Sequence, residues 1–378
     1  MAGDYLHGIK TQFMDQNQDP IELLDASIGF MIGTGEGADE AVFPLGVSVL
    51  VNSYDMIAKL GTGTLKRGML DAYEQGPALI VVHRVEHSED AAALKANIIG
   101  SLDQDTGTMT GLNALLNCEA EAGKRPRLVA CPEMKDADIA AAMISVCAKY
   151  NAIPIVEAEG TGFASYSAFT KLLTGAYVVA GGAKMFDAES AQDITIGGSA
   201  TAMGVIIRTD NEIGFQQAPS NKFASRIKGP GIPIDYTPGS VTCLANVYNS
   251  ENMAVFAAMK GGTKLWGQRL SDGKSIQKER VRLLIADSIR EETQDIVDGN
   301  ITAPFCDKLI ERIQNFLDQM TLDLVISGGK VWLPKDMNIS KIGLNEFYVD
   351  YSVGYYDSAE QVTYRQYMDN SFTEKVFS

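Results

Sequence analysis

Cysteine is sparse in this chain of 378 residues, and histidine is sparser. The five cysteines, Cys118, Cys131, Cys147, Cys243 and Cys306, are odd in number and scattered, with no C-x-x-C among them. That pattern excludes a disulfide framework or a zinc knuckle and fits synthesis in a reducing cytoplasm. No stretch of 18 apolar residues occurs, and the opening MAGDYLHGIKTQFMDQ lacks a charged region followed by an apolar run. A soluble protein with no cleaved secretion signal and no membrane insertion is expected. Positive charge is also short: the net charge is −16, which argues against direct nucleic-acid binding, because phosphate neutralisation needs a basic face. Hydrophobic residues at 46% and charged residues at 21% are ordinary globular values, and the length allows two or three domains.

Several catalytic patterns are missing or incomplete. His83, Glu86 and His87, in ALIVVHRVEHSED, spell the H-x-x-E-H of a zinc-peptidase family. Two such histidines share a metal only on a helix, where residues four apart are about 5–6 Å apart. Here the motif continues a strand, on which four residues span about 13 Å, and SED after it reads as a helix N-cap. The only other histidine is His7 in the polar N-terminal stretch, so a third ligand is lacking and no metal is expected. GTGEG (33–37) lacks the dinucleotide spacing and runs into Asp39 and Glu40; GTGTLKRG lacks the phosphate-loop form. No G-x-S-x-G elbow is present, and no cofactor is expected. Glu157 and Glu159 end the strand pattern AIPIVEAEG, where α/β enzymes place catalytic groups, and they are the one pair that keeps an enzyme reading alive.

What is present is a strand–helix grammar. ASIGFMIGTGEG (26–37), VSVLV (47–51) and ALIVVHRVE predict strands, with short helices at 53–61 and 64–76 between the last two. Helix 111–123, strand 125–132, helix 136–151, strand 152–160, helix 165–175 and strand 176–182 follow, predicting a mostly parallel, helix-covered sheet. After about residue 215 the chain becomes rich in Pro, Gly and Ser. Beyond lie a helix near 276–298 and another from Pro304 to Met320, in which Phe305, Leu309, Ile313, Phe316, Leu317 and Met320 form one apolar stripe. Strands are expected at 323–333 and 344–353. Residues 361–367 alternate Val362, Tyr364 and Gln366 with polar or aromatic neighbours, a strand pattern with no evident mate. The stretch 264–282 sets Lys264, Arg269, Lys274, Lys278, Arg280 and Arg282 against only Asp272 and Glu279, so it reads as a solvated face or as a docking surface for an acidic partner.

Four segments in order, NIIGSLDQDTGTMTGLNALLNCEAEAGKRPRLVACPEM (97–134), APSNKFASRIKGPG (218–231), GGTKLWGQRLSDGK (261–274) and VWLPKDMNISKIGLNEFYVDYSVGYYDSAEQVTYRQYMDN (331–370), resemble the tail sheath proteins of contractile-tailed bacteriophages. The resemblance runs the length of the chain and is nearest to temperate myophages, whose sheaths are related to those of R-type bacteriocins. It implies a two-part α/β subunit: an outer α/β domain (21–240), an inner α+β domain built from both chain ends and centred on 241–356, and extended β-arms at 1–20 and 357–378. It implies no catalytic site. The expected function is a structural subunit polymerised as stacked six-fold rings around a tail tube, contracting to drive that tube through a host envelope. The implied partners are neighbouring sheath subunits, the tail tube protein, and baseplate and tail terminator proteins, and the implied location is the virion tail after synthesis in the host cytoplasm. The sheath of a bacterial contractile injection device is the alternative. Arms that add as strands to neighbours would use Ile9, Thr11 and Phe13 at one end and Val362, Tyr364 and Gln366 at the other. Charge-based tube contact would use Lys264, Arg269, Lys274, Lys278, Lys308 and Arg312, although Asp307 and Glu311 interrupt the last pair's helix face.

Overall fold

A computed structural model describes residues 21–187, 190–374 and 376; Ile9, Thr11 and Phe13 lie outside the described residues. The chain begins with β1 (Ile28–Thr34), β2 (Ser48–Val51), α1 (Tyr54–Ala58), α2 (Thr64–Tyr73), β3 (Leu79–Val85) and α3 (Ala91–Ile99). A 3-10 stretch over Gly111–Asn117 runs into α4 (Cys118–Ala122), where one continuous helix is expected from sequence. The alternation then repeats as β4 (Leu128–Ala130), α5 (Ala137–Tyr150), β5 (Ile153–Glu157), α6 (Phe163–Leu172) and β6 (Tyr177–Val179). Next come β7 (Ala183–Asp187), β8 (Gln192–Ile196), α7 (Ser199–Glu212), β9 (Lys222–Phe223), β10 (Ile227–Pro230), α8 (Leu244–Ser250), β11 (Met253–Met259) and β12 (Gly262–Trp266). The remainder holds α9 (Ile276–Glu292), α10 (Ala303–Leu322), β13 (Gly328–Trp332), α11 (Lys335–Ser340), β14 (Asp350–Gly354) and α12 (Ser371–Glu374). Among the described residues, no helix is long and apolar enough to cross a membrane.

The main sheet has nine strands in the order β2-β3-β1-β4-β5-β6-β11-β12-β9. From β3 to β11 neighbouring strands are parallel, and the two ends are finished by antiparallel strands. Parallel strands need helical crossovers, and helices on both faces bury both sides of each strand. That is why β1 is buried at every position. Successive residues of one strand therefore serve different cores. Met31 packs with α2 and α7 on one face, while Phe30 and Ile32 pack with α5 and α6 on the other. Capping follows the sequence: Asp136 accepts from the backbone N–H of Asp138 and Ile139 at the start of α5, and Asn151 closes its end in the left-handed region.

One strand pairs across the expected division at residue 240. Strand β11 hydrogen-bonds in parallel to β6, with Met253 beside Val178 and Ala254 beside Val179. The sheet therefore runs past that boundary, because the apolar MAVFAAM finds its mate in a strand more than 70 residues earlier. A separate three-stranded sheet, β10-β7-β8, also forms from residues on the near side of the boundary.

The third core belongs to the C-terminal part. Leu309, Ile313, Phe316, Leu317 and Met320 of α10 pack against Val281, Leu284 and Ile285 of α9, together with Ile21, Ala26 and Phe215. This is the expected apolar stripe, with Thr302 capping the helix and Pro304 in its first turn. The hairpin β13–β14 covers it, in register from Gly328 opposite Gly354 to Trp332 opposite Asp350.

Helix α9 touches both bodies. Ile276 belongs to a core of the main sheet, whereas Val281 to Ile289 belong to the third core. Buried ion pairs fix it. Arg280 donates to Asp210 of α7 at 2.8 Å and to the carbonyl of Ala26 at 3.1 Å. Asp287, fully buried, accepts from Asn151 at 2.6 Å and from Arg127 and Arg290, with Arg125 3.4 Å away. Asp287→Ala would leave Arg127 buried without its carboxylate, which costs roughly 3–5 kcal/mol. Urea titration of that variant is expected to show a clear fall in midpoint; an unchanged midpoint would mean that the pair does not hold the two bodies together.

Candidate functional site

The H-x-x-E-H residues are separated by the end of β3. His83 is buried, accepts or shares a hydrogen bond with Ser48 Oγ at 3.1 Å, and stacks near Phe30. Burial lowers its pKa to about 4, so it is neutral at ordinary pH. His87 sits beyond the strand and pairs with Glu36 at 2.8 Å. The two imidazoles thus have different surroundings, and Asp90 caps α3 as the SED pattern predicts. Among the described residues no group of three or more His, Cys, Asp or Glu could hold a metal ion. The five cysteines are free thiols, and burial pushes Cys118 up to about 12.

Glu157 and Glu159 do not form a pair: Glu159 is exposed, while Glu157 is buried. Glu157 Oε1 accepts from Ser199 Oγ at 2.6 Å and from Ser199 N at 3.2 Å, at the first turn of α7. Glu133, just past β4, accepts from Gly197 N at 2.8 Å. Two carboxylates therefore hold the turn that starts α7. The turn presses on them: a Cβ at Gly197 would lie 1.7 Å from Glu157 Oε2. Burial, and then the neighbouring Glu133, raise the Glu157 pKa to about 7. An α/β enzyme leaves a crevice at the strand ends where the order reverses, here between β1 and β4. In this chain α2 packs onto that position, and a Cβ at Gly68 would meet the Pro132 ring at 2.5 Å. At the carboxyl ends of these strands Glu157 and Glu133 are engaged in holding the turn that starts α7.

The other candidates lie on the surface. Val362, Tyr364 and Gln366 are exposed in a stretch, 361–369, that has no regular structure and no strand mate among the described residues. Tyr364 and Met368 are 92% and 96% exposed, so the described residues leave their apolar area uncovered. The cations of 264–282 are not a bare patch. Arg269 pairs with Glu360, Lys274 with Asp272 and Lys278 with Asp357, while Lys264 donates to Asn221 at 2.9 Å. Arg280 is buried against Asp210, and Arg282 pairs with Glu279. On α10, Arg312 pairs with Asp295 at 3.0 Å, and Lys308 is exposed. The structure thus brings Arg269 and Lys278 together on one segment, 357–360, and leaves Lys308 and Arg312 on a different helix. The acidic partners Asp357 and Glu360 were not singled out from sequence, although their spacing just ahead of the alternating stretch was visible there.

No family model matches the sequence. The chain has the sheath fold of contractile injection systems: it superposes on a subunit of the anti-feeding prophage helical sheath in its contracted state with a TM-score of 0.71, covering 97% of this chain and 99% of that one at 14% identity. In sequence it is tail-sheath-like. It is 25% identical over 385 residues to the tail sheath protein of Escherichia phage P2, covering 98% of this chain and 97% of that protein. It is also 28% identical over 343 residues, 88% of each chain, to a prophage protein of Pseudomonas aeruginosa (strain UCBPP-PA14) provisionally named as a major tail sheath protein.

The buried carboxyl gives a pH signature. Glu157 binds its proton more tightly folded, at about 7, than unfolded, near 4.5. Its contribution therefore favours the fold at low pH and is lost as pH rises from about 4.5 to 7. His83 acts the other way, because its folded pKa is depressed to about 4; its contribution is present above about 6.5 and lost as pH falls. Glu157→Gln keeps the acceptor for Ser199 and removes the charge. Relative to the parent, its stability is expected to be unchanged near pH 4.5 and to gain up to roughly 3 kcal/mol by pH 8. Urea titrations at pH 4.5, 6 and 8 test this, and a difference that does not change with pH would refute it.

Proposed function

We propose that this chain is a structural subunit of a contractile tail sheath, polymerised as stacked six-fold rings around a tail tube and contracting to drive the tube through a host envelope. The observation that carries the reading is the pairing of a sheath fold with tail-sheath likeness along nearly the whole chain. The named relatives belong to phages and prophages, which favours a phage tail of the temperate myophage type over a bacteriocin or a bacterial injection device. In this reading the sheet-centred body is the outer part, and the third core with its β13–β14 hairpin is the inner, tube-facing part. Neighbouring subunits, the tail tube, and the baseplate and terminator proteins at the two ends of the sheath are the partners, within a virion.

The arms supply the links. Residues 361–369 leave the body exposed and without a mate among the described residues, and they carry the alternating pattern of a strand. Strand addition suits a moving lattice because main-chain hydrogen bonds tolerate rigid-body rotation of the parts they join. Val362, Tyr364 and Gln366, with Ile9, Thr11 and Phe13 at the other end, are the proposed strand positions. For the tube, Lys264, Lys274, Lys308 and Arg312 remain the proposed contacts. Lys308 and Lys264 are the best placed of these, because neither has a carboxylate partner among the described residues.

Concentrated protein is expected to form helical tubes or stacked rings visible by electron microscopy. A deletion ending near Gln18, or one starting near Gln361, is expected to leave a folded monomer that does not assemble. Tubes formed by both truncated chains would show that the arms are dispensable.

A further inference from the structure

Two of the cations that a docking surface would use, Arg269 and Lys278, are paired with the chain's own carboxylates. Arg269 grips Glu360 with two hydrogen bonds, Nε to Oε1 at 3.1 Å and Nη2 to Oε2 at 2.6 Å. Lys278 pairs with Asp357. Between them Ser358 Oγ donates to the side-chain oxygen of Gln277, whose amide donates to the carbonyl of Tyr356 at 3.4 Å. Gln277 is buried, so it is a fixed point on α9 rather than a free surface group. The grip perturbs both partners: the Arg269 hydrogen bond holds the Glu360 carboxyl below its usual range, and the same contact raises Arg269. These contacts sit on the rim of a cavity of about 1020 Å³ between the body and residues 355–361. One residue further on, the exposed segment without a mate begins.

We propose that Arg269, Gln277 and Lys278 anchor the root of the C-terminal segment and set the direction in which it leaves the body, so that residues 362–374 meet a second copy of this chain. This rests on the arm reading given above, and it assigns Arg269 and Lys278 to the chain's own carboxylates instead of to an acidic tube. The physical need is entropic. A segment of a dozen residues swinging from the end of β14 samples a large volume, whereas one clamped at residue 360 starts from a defined point and orientation, which raises its effective concentration at a neighbour's edge. Each ion pair is exposed and individually weak, but the bidentate Arg269–Glu360 geometry and the buried Gln277 bond act together.

The test uses the full-length chain and reads the critical concentration for tube formation by light scattering and electron microscopy. Arg269→Glu and Glu360→Arg are each expected to raise it about tenfold, corresponding to the loss of one bidentate pair plus the like-charge repulsion introduced. The double variant Arg269→Glu with Glu360→Arg is expected to return close to the parent value, because the pair is restored with reversed sign. Circular dichroism of each single variant checks that the body stays folded. If Arg269 instead met an acidic partner, Glu360→Arg alone would be harmless and the double variant would stay defective; either result overturns the anchor. The truncation at Gln361 separates the two claims. If truncation abolishes tubes while both single variants assemble as the parent does, the arm reading stands and the anchor is wrong. If truncation leaves tubes intact, the arm reading fails and takes the anchor with it.

Discussion

The structure turns on what holds α9. Among the described residues this helix has side chains both in a core of the main sheet and in the third core, and it is joined to the sheet body by buried ions at two places. Arg280 reaches Asp210 at the end of α7, and Asp287 gathers Arg127, Arg290 and Asn151 near the start of β4 and the end of α5. Apolar packing alone would fix the distance between the bodies but leave their relative orientation loose, since apolar contact is not directional. A guanidinium and a carboxylate have defined geometry, and once buried neither can let go without leaving a desolvated charge. Two such fixings along one helix define an orientation as well as a position.

That constraint organises the rest. With α9 fixed, its first turn offers Gln277 and Lys278 to the C-terminal segment, and its far half forms the floor on which α10 lays its apolar stripe. The β13–β14 hairpin then covers α10, and the chain returns from β14 to the first turn of α9. The contacts of Gln277 and Lys278 at the root of the exposed segment therefore sit on the same helix that touches both cores, and Arg269 adds to them from the loop that leads into it.

The parts legible in the sequence were those in which local pattern and tertiary role agree. β1 and β3 read as strands buried on both faces because apolar residues fill consecutive positions, and α10 read as a helix because its stripe faces a single core. The parts missed were those in which the role is set from afar. α7 is buried at nearly every one of its 14 residues, so it shows no apolar stripe against a polar face, and small residues in SATAMG blur it further. β11 was hidden by the Pro- and Gly-rich run before it, and nothing local says that it will lie beside β6. The same limit governs the candidate residues. The positive excess of 264–282 was plain, but the pairing of Lys278 with Asp357 and of Arg269 with Glu360 depends on a return of the chain after 79 and 91 residues. Likewise Glu157 and Glu159 would share a face if the strand continued, but β5 ends at Glu157, which is buried, and Glu159 lies beyond it in water.

On the proposed reading, a sheath subunit must meet two opposed demands, and this chain would divide them between different kinds of bond. A body that transmits motion has to be stiff, which calls for buried, directional contacts of the kind made by Asp287 and Arg280. A connection that survives the motion has to be compliant, which calls for main-chain pairing by a segment with little packing of its own, and residues 361–369 have that character. Between the two lies a set of exposed ion pairs, strong enough to orient the segment yet screened by salt and weak enough not to resist bending. On this division, substitutions within the body act on folding, and substitutions at 357–369 act on assembly while leaving the fold intact. The rim contacts of Arg269 and Lys278 form the boundary between the two classes.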